Sequence, residues 1–316
     1  MTWRLAVPAP LLESQRRYFG ESGRCWVDAL PALAAERLAA WSLRPDGDPR
    51  VGAVALVLPV LRADGTKAAL KLQPVDEETV GEPDALRRWA GLGAVALLEH
   101  DPVSGSILLE RLNAERSLAA VTDDLAALSV IAGLLRSFHT VQAPAGLRRL
   151  ADLTATMLGD LPALLPRLTD PDERALLTRS ADRVRELLAE PVADRLLHWD
   201  LHYDNVLAVL DADAGARATE PRAWRAIDPK PLSGDPGFDL LPALWNRWDD
   251  VVATGDVAGA VGRRFDLMVE VLELDPGRAR TWTLARVLQN ARWELASVRS
   301  SQLVSSHRVI AEALLR

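Results

Sequence analysis

The sequence predicts an α+β fold in two lobes, a β-rich first lobe over residues 1–112 and a mainly helical second lobe over 113–316. Three observations carry this. Apolar runs rich in Val, Leu and Ala, punctuated by tight-turn dipeptides, fill the stretch after residue 51. From Ser117 onward the apolar residues recur at intervals of three and four instead. Within that helical part a few short β-type runs return between 196 and 228. With 316 residues and 49% apolar content, the chain has material for more than one core.

Residues 25–41, CWVDALPALAAERLAAW, place Trp26, Leu30, Leu33, Leu38 and Trp41 at helical spacing. Asp28 is expected to cap this helix, which would put Pro31 in the first turn, where proline costs least. VGAVALVLPVLRADGTKAALKLQ follows, two apolar runs around Asp64-Gly65, a pair that readily takes the positive φ of a hairpin turn. EPDALRRWA reads as a helix with Pro83 at its start. AVALLEHD and SGSILLERL read as two more strands about a Ser-Gly turn, which completes an antiparallel sheet with a helix inserted after the Lys71 strand. In the second lobe, helices are expected at 122–140, 150–168 and 171–190, then strands in LLHWD, NVLAVL and AWRAID. A polar loop, DADAGARATEP, separates the last two strands. From Gly237 the pattern is helical again, after a start signal in which Asp235 caps and Pro236 takes the first position.

A net charge of −7 argues against a nucleic-acid surface and suits a cationic small-molecule substrate. Most of the deficit falls after Asn113, where 29 acidic residues face 24 basic ones. The apolar stretches are too short and too often broken by charge to span a membrane. The first twenty residues, with two prolines followed by Glu13, Arg16 and Arg17, make a poor signal peptide. A single cysteine, Cys25, excludes an internal disulfide and fits a cytoplasmic location. Only three of the 37 basic residues are lysine, namely Lys67, Lys71 and Lys230. No sequence feature sets an oligomeric state.

The chemistry concentrates in LLHWDLHYDN, residues 196–205. His198 and His202 are four apart, as in H-E-x-x-H zinc sites, but Trp199 stands where the glutamate belongs, and the β-type flanks argue against the helix that motif needs. No G-x-S-x-G elbow of a serine hydrolase occurs anywhere. His198-x-Asp200 followed five residues on by Asn205 has the spacing of a kinase catalytic loop, in which the aspartate accepts a hydroxyl proton and the asparagine holds a metal. Asp228 ends AWRAID and precedes Pro229, so a second carboxylate can project where that strand stops. Asn205 and Asp228 would together give Mg²⁺ two hard oxygen ligands. Taken alone, Asp200 also suits an ordinary polar turn. Lys71, mid-strand in AALKLQ, needs a partner or a ligand; Glu82 is the candidate, with Glu77 and Glu78 close by, and a solvent-facing lysine is the plainer alternative.

HWDLHYDN, AIDP and GDPGFDL, preceded by RADGTKAALKL, together resemble the aminoglycoside phosphotransferase family. Within it the chain is similar to the streptomycin 6-phosphotransferase branch, the aminoglycoside and hydroxyurea resistance kinases, and the likeness extends to SGRCWVDALPAL and WTLARVLQNARWE. The resemblance implies a protein-kinase-like fold, ATP and Mg²⁺ as cofactors, and transfer of the γ-phosphate to a hydroxyl of an aminoglycoside, streptomycin first. By the same resemblance Asp200 is the catalytic base, Asn205 and Asp228 bind magnesium, and Lys71 with Glu82 orients the ATP phosphates. LLERL, with Glu110 and Leu112, would be the hinge that meets adenine. His198 would pack to hold the loop, Asp235 would cap, and Asp239, isolated in an apolar run, would accept bonds from the catalytic-loop backbone. One departure stands out: no G-x-G-x-x-G precedes Lys71, only Val51-Gly52-Ala53.

For the acceptor, residues 282–298 place Leu284, Leu288, Ala291, Leu295 and Val298 on a buried stripe with Asn290 and Glu294 on one flank. Glu294, Asp249 and Asp250 are candidates to pair with the two guanidinium groups of streptomycin, and ordinary helix-surface polarity is the alternative. Kinases of amino sugars share these motifs. An acceptor such as glucosamine or hydroxyurea, or a non-catalytic nucleotide-binding role, is therefore the rival expectation.

Overall fold

In the two apolar runs around Asp64-Gly65, Leu56, Leu58 and Val60 alternate along one strand and Ala68, Leu70 and Leu72 along the next, so that all six fall on one face of a hairpin. The computed structural model, which describes residues 5–210, 221–296 and 301–316, builds the first unit on that hairpin. Helix α1 (Ala9–Ala40) is followed by β1 (Arg44–Pro45), β2 (Arg50–Val51), β3 (Leu56–Leu61), β4 (Lys67–Leu72), α2 (Glu82–Arg88), β5 (Leu97–His100) and β6 (Ile107–Glu110). The strands form one antiparallel sheet in the order β1-β3-β4-β6-β5, with β2 on β3. Gly65 turns the β3–β4 hairpin at φ 84°, a value that a residue with a Cβ avoids.

Leu11, Val27, Leu30, Ala34 and Leu38 of α1 cover the even-numbered face of β3 and β4. The odd-numbered face of β4 carries Lys71, paired in register with Val57 and Ile107. The helix starts sixteen residues earlier than the spacing suggested and breaks only at Gly20, whose φ of 60° and ψ of −127° are not helical. Asp28 is therefore no cap. It lies on the exposed side of the helix, 3.0 Å from Arg24. Pro31 is likewise interior and not in the first turn. Periodicity missed the first half because only Leu11, Gln15 and Gly23 are buried before Val27, too few to make a stripe.

The chain divides after Asn113, a few residues from Val209 grouping with the first unit. The second unit contains α3 (Asp124–Phe138), α4 (Leu150–Leu164), α5 (Pro171–Leu187), α6 (Leu241–Trp245), α7 (Trp248–Ala253), α8 (Val257–Leu272), α9 (Pro276–Ala296) and α10 (Ser305–Leu314). Helix α3 packs on α8, and α9 packs against α4, α5 and α10. Between α5 and α6 run β8 (Arg195–Leu197), β9 (Val206–Val209), β10 (Trp224–Ala226) and β11 (Leu232–Gly234). β10 and β9 pair with β7 (Leu112–Ser117), the strand that crosses the division, and β11 pairs with β8. β7 and β11 went unread in the sequence because LNAERS and LSG carry no apolar alternation. The loop DADAGARATEP and Val298 lie outside the described residues, Pro221 excepted for its backbone. Among the described residues no helix is long and apolar enough to cross a membrane.

Candidate active site

Short β8 delivers His198, Trp199 and Asp200 at the point where the strand stops. The stop is built by one carboxylate. Asp239, fully buried, accepts the backbone N–H of His198 at 2.9 Å and that of Trp199 at 2.7 Å, and a third bond at 2.9 Å from Nε2 of His139 at the end of α3. Asp239 reaches this position because Asp235 caps a 3-10 turn, Pro236–Asp239, and bonds Gly237 N–H while pairing with Arg278 at 2.7 Å. That turn lies so close to α9 that a Cβ on Gly237 would sit 2.9 Å from the Ala279 Cα.

Trp199 takes φ 69°, a left-handed conformation that costs a bulky residue on the order of 1–3 kcal/mol. Its surroundings hold it there: the Asp239 bond fixes its amide, while the guanidinium carbons of Arg148 and Arg286 lie 4.7 and 4.8 Å from the ring centroid. Replacing Asp239 by asparagine turns one acceptor into a donor facing N–H groups. We expect a loss of about 3 kcal/mol in urea unfolding, together with loss of activity out of proportion to the folded fraction; equal stability of the two proteins would refute this account of the loop.

His198 is neutral, since burial pushes its imidazole down to about 4. Its Nε2 donates to the Ile227 carbonyl at 3.2 Å, and Nδ1 accepts from the Asp200 N–H at 3.4 Å. The ring thereby ties the end of β8 to the end of β10. Burial also raises the Asp200 carboxyl above the ordinary aspartate range, against the nearby positive groups of His202, Arg286 and Lys230. A carboxyl raised in this way binds a proton better than a solvated one, which suits a base.

Asn205 follows on a single 3-10 turn, Tyr203–Asn205, and its Nδ2 donates to the Asp200 carbonyl at 2.9 Å. This directs the amide oxygen, the end that binds metal, away from that carbonyl. The Ile227 N–H donates to the Asn205 carbonyl at 2.9 Å, so the ladder between β9 and β10 sets Asp228 beside the same turn. Asp228 has φ 58° and pairs with Lys230 at 2.9 Å. The oxygens of Asn205 and Asp228 are the hard donors that Mg²⁺ takes. Among the described residues no three His, Cys, Asp or Glu gather into a cage, so an ion here would complete its shell with phosphate oxygens and water.

Behind this turn lies a network that sequence reading missed. The Tyr203 hydroxyl donates to Asp124 at 3.0 Å, and Arg264 forks onto the same carboxylate with two bonds of 2.8 Å while also donating to the Leu244 and Asn246 carbonyls. The available signal was Arg264 itself, a charge inside the apolar stripe of Val261, Phe265, Met268 and Leu272.

In the first unit, Lys71 Nζ lies 2.8 Å from both carboxylate oxygens of Glu82, and Gln73 also donates to that carboxylate. Lys71 and Glu82 are 4% and 0% exposed, so this pair is shielded from solvent. Nearby, the backbone N–H of Glu78 donates to Asp76 at 2.9 Å. Glu110 ends β6 with its carboxylate on the Ala96 N–H at 3.0 Å, and Leu112 is buried at the start of β7. The stretch Val51-Gly52-Ala53 is a tight turn, closed by Gly52 N–H on the Ala55 carbonyl at 2.9 Å and held to α1 by a Gln15 bond to the Val54 carbonyl.

Three of the four acceptor candidates have partners within the protein. Asn290 and Glu294 share a protein partner: Asn290 donates to His307 Nε2 at 3.1 Å, and His307 Nδ1 donates to Glu294 at 3.0 Å. Asp250 pairs with Arg247 at 2.6 Å, and Asp249 stands exposed on the first turn of α7. The mid-part of α9 is buried nearly all round, from Trp282 to Gln289, and not on the single stripe that its spacing suggested.

The aminoglycoside/hydroxyurea antibiotic resistance kinase family matches residues 40–297. The chain is 53% identical over 289 residues to a streptomycin 6-kinase of Streptomyces glaucescens, covering 92% of this chain and 91% of the relative. It is also 53% identical to a hydroxyurea phosphotransferase of Kitasatospora aureofaciens over 291 residues, 92% of this chain and 80% of that protein. Among solved structures, a choline kinase from Streptococcus pneumoniae superimposes with a TM-score of 0.55 at 12% identity, over 90% of this chain and 98% of that one. At that identity the likeness concerns the fold, which is protein-kinase-like, with an antiparallel sheet first and helices after it.

Proposed function

The chain belongs to the aminoglycoside/hydroxyurea antibiotic resistance kinase family, and from that premise we propose that it phosphorylates streptomycin at the 6-hydroxyl of the streptidine ring, with ATP as donor. The observation that carries the reading is the set Asp200, Asn205 and Asp228 around one turn, in a chain 53% identical to a streptomycin 6-kinase. Asp200 takes the proton of the acceptor hydroxyl, and its raised proton affinity matches that task. Asn205 and Asp228 hold Mg²⁺, which when bound neutralises charge on the phosphates. Lys71, braced by Glu82, orients those phosphates, and the backbone about Glu110 and Leu112 meets the adenine. In this reading residues 1–112 form the nucleotide lobe and 113–316 the catalytic lobe.

The internal pairs at Asp250 and Glu294 leave Asp249 as the acidic candidate for a guanidinium group of the acceptor. Catalysis comes mainly from positioning and electrostatics. The test is ATP consumption with streptomycin, other aminoglycosides, glucosamine and hydroxyurea, with the product located by mass and phosphorus NMR. Streptomycin is expected to give the highest kcat/KM. The equal identity to a hydroxyurea phosphotransferase favours one second reading, and a higher kcat/KM with hydroxyurea would establish that reading instead. ATP binding without turnover of any acceptor would end both.

A further inference from the structure

Lysine is scarce in this chain, and its three occurrences are informative. Arginine presents a broad planar fork, whereas lysine presents a compact point charge that fits against a single carboxylate. Lys67 is exposed beside the hairpin turn. The other two are recessed, Lys71 against Glu82 and Lys230 against Asp228 at 2.9 Å.

The second pair stands inside the candidate site. After Asp228 the chain turns through Pro229, and the Lys230 N–H donates to the His198 carbonyl at 3.0 Å. Two residues later Leu232 comes into register with Leu197, as β11 pairs with β8. The Lys230 backbone is thus fastened to the strand that delivers Asp200, while its ammonium reaches back over the proline to Asp228 Oδ1, with 14% of the side chain exposed. Asp228 lies two residues past the end of β10, in a left-handed conformation.

We propose that Lys230 is a positioning residue for phosphoryl transfer: its ammonium holds the Asp228 carboxylate in the orientation that receives the nucleotide's divalent cation, and offsets the negative charge of Asp200 and Asp228 toward an incoming phosphate chain. The proposal rests on the kinase reading. Without the ammonium, two carboxylates would face an anionic nucleotide, and the Asp228 carboxylate would lose the cation that lies 2.9 Å from it.

The test uses Lys230→Met, which keeps the stem, and Lys230→Arg, which keeps the charge. Calorimetric ADP binding is measured across a Mg²⁺ series, beside steady-state kinetics with ATP and streptomycin. The Met protein is expected to bind metal-free ADP more weakly than the parent does, to need about 10–100-fold more Mg²⁺ for full affinity, and to lose kcat by a similar factor with KM for streptomycin unchanged. The Arg protein is expected to recover only part of this. Unchanged Mg²⁺ dependence in the Met protein overturns the proposal. If the Met protein does not fold, Lys230→Gln takes its place, and parental Mg²⁺ dependence there overturns it instead. A parent that binds Mg²⁺ and ADP but phosphorylates nothing refutes the kinase reading, while the binding series still decides the role of Lys230.

Discussion

Asp200→Asn is expected to leave a folded protein whose turnover falls by about three orders of magnitude, in the middle of the range that general bases contribute. The substitution conserves shape, and the bonds of the loop lie elsewhere: Asp239 accepts from His198 and Trp199, and Asn205 donates to the Asp200 carbonyl, a backbone group that the change leaves intact. KM for ATP should therefore change little while kcat collapses. The pH profile sharpens the test. Burial raises the Asp200 carboxyl, and the base works only when deprotonated, so parental activity should fall on acidification starting at a higher pH than an ordinary aspartate would give. The residual rate of the Asn protein should lack that acid limb. A parental acid limb at the usual carboxylate position, or one that persists in the Asn protein, would assign the titration to another group.

Lys71→Met is expected to have the second large effect, and on stability as well as rate. Removing one member of a buried pair leaves the other charge uncompensated, at a cost of about 3–5 kcal/mol. Glu82 is fully buried and would keep only Gln73 among the donors named above. The pair Lys71→Met with Glu82→Gln should recover most of the loss, because the stranded charge is gone, yet it should stay as inactive as Lys71→Met alone. Urea unfolding of the four proteins, combined as a double-mutant cycle, measures the coupling. If the doubly substituted protein is no more stable than Lys71→Met, the pair is not what stabilises the odd-numbered face of β4.

The parts legible in the sequence are those whose partners lie close along the chain. The candidate loop from His198 to Asn205 spans eight residues, the hairpin announces itself by Asp64-Gly65, and Lys71 and Glu82 are separated by one loop. What escaped is held together over long separations. Tyr203 meets Asp124 across 79 residues, and Arg264 meets it across 140. Helical spacing correctly set Asn290 and Glu294 on one flank of α9, but could not reveal that His307 arrives from α10 to occupy them. Likewise β11 has three residues and no pattern of its own; it exists because β8 offers an edge.

The recessed lysines also make the molecule unusually easy to footprint. A reagent that acylates side-chain amines meets one exposed target, Lys67, while Lys71 and Lys230 are shielded by the carboxylates they neutralise. The two shielded amines lie one in each unit, so each serves as a native probe of local opening. Acylation at Lys71 would register loosening of the sheet, and acylation at Lys230 loosening of the turn after β10, with no label having to be engineered into either.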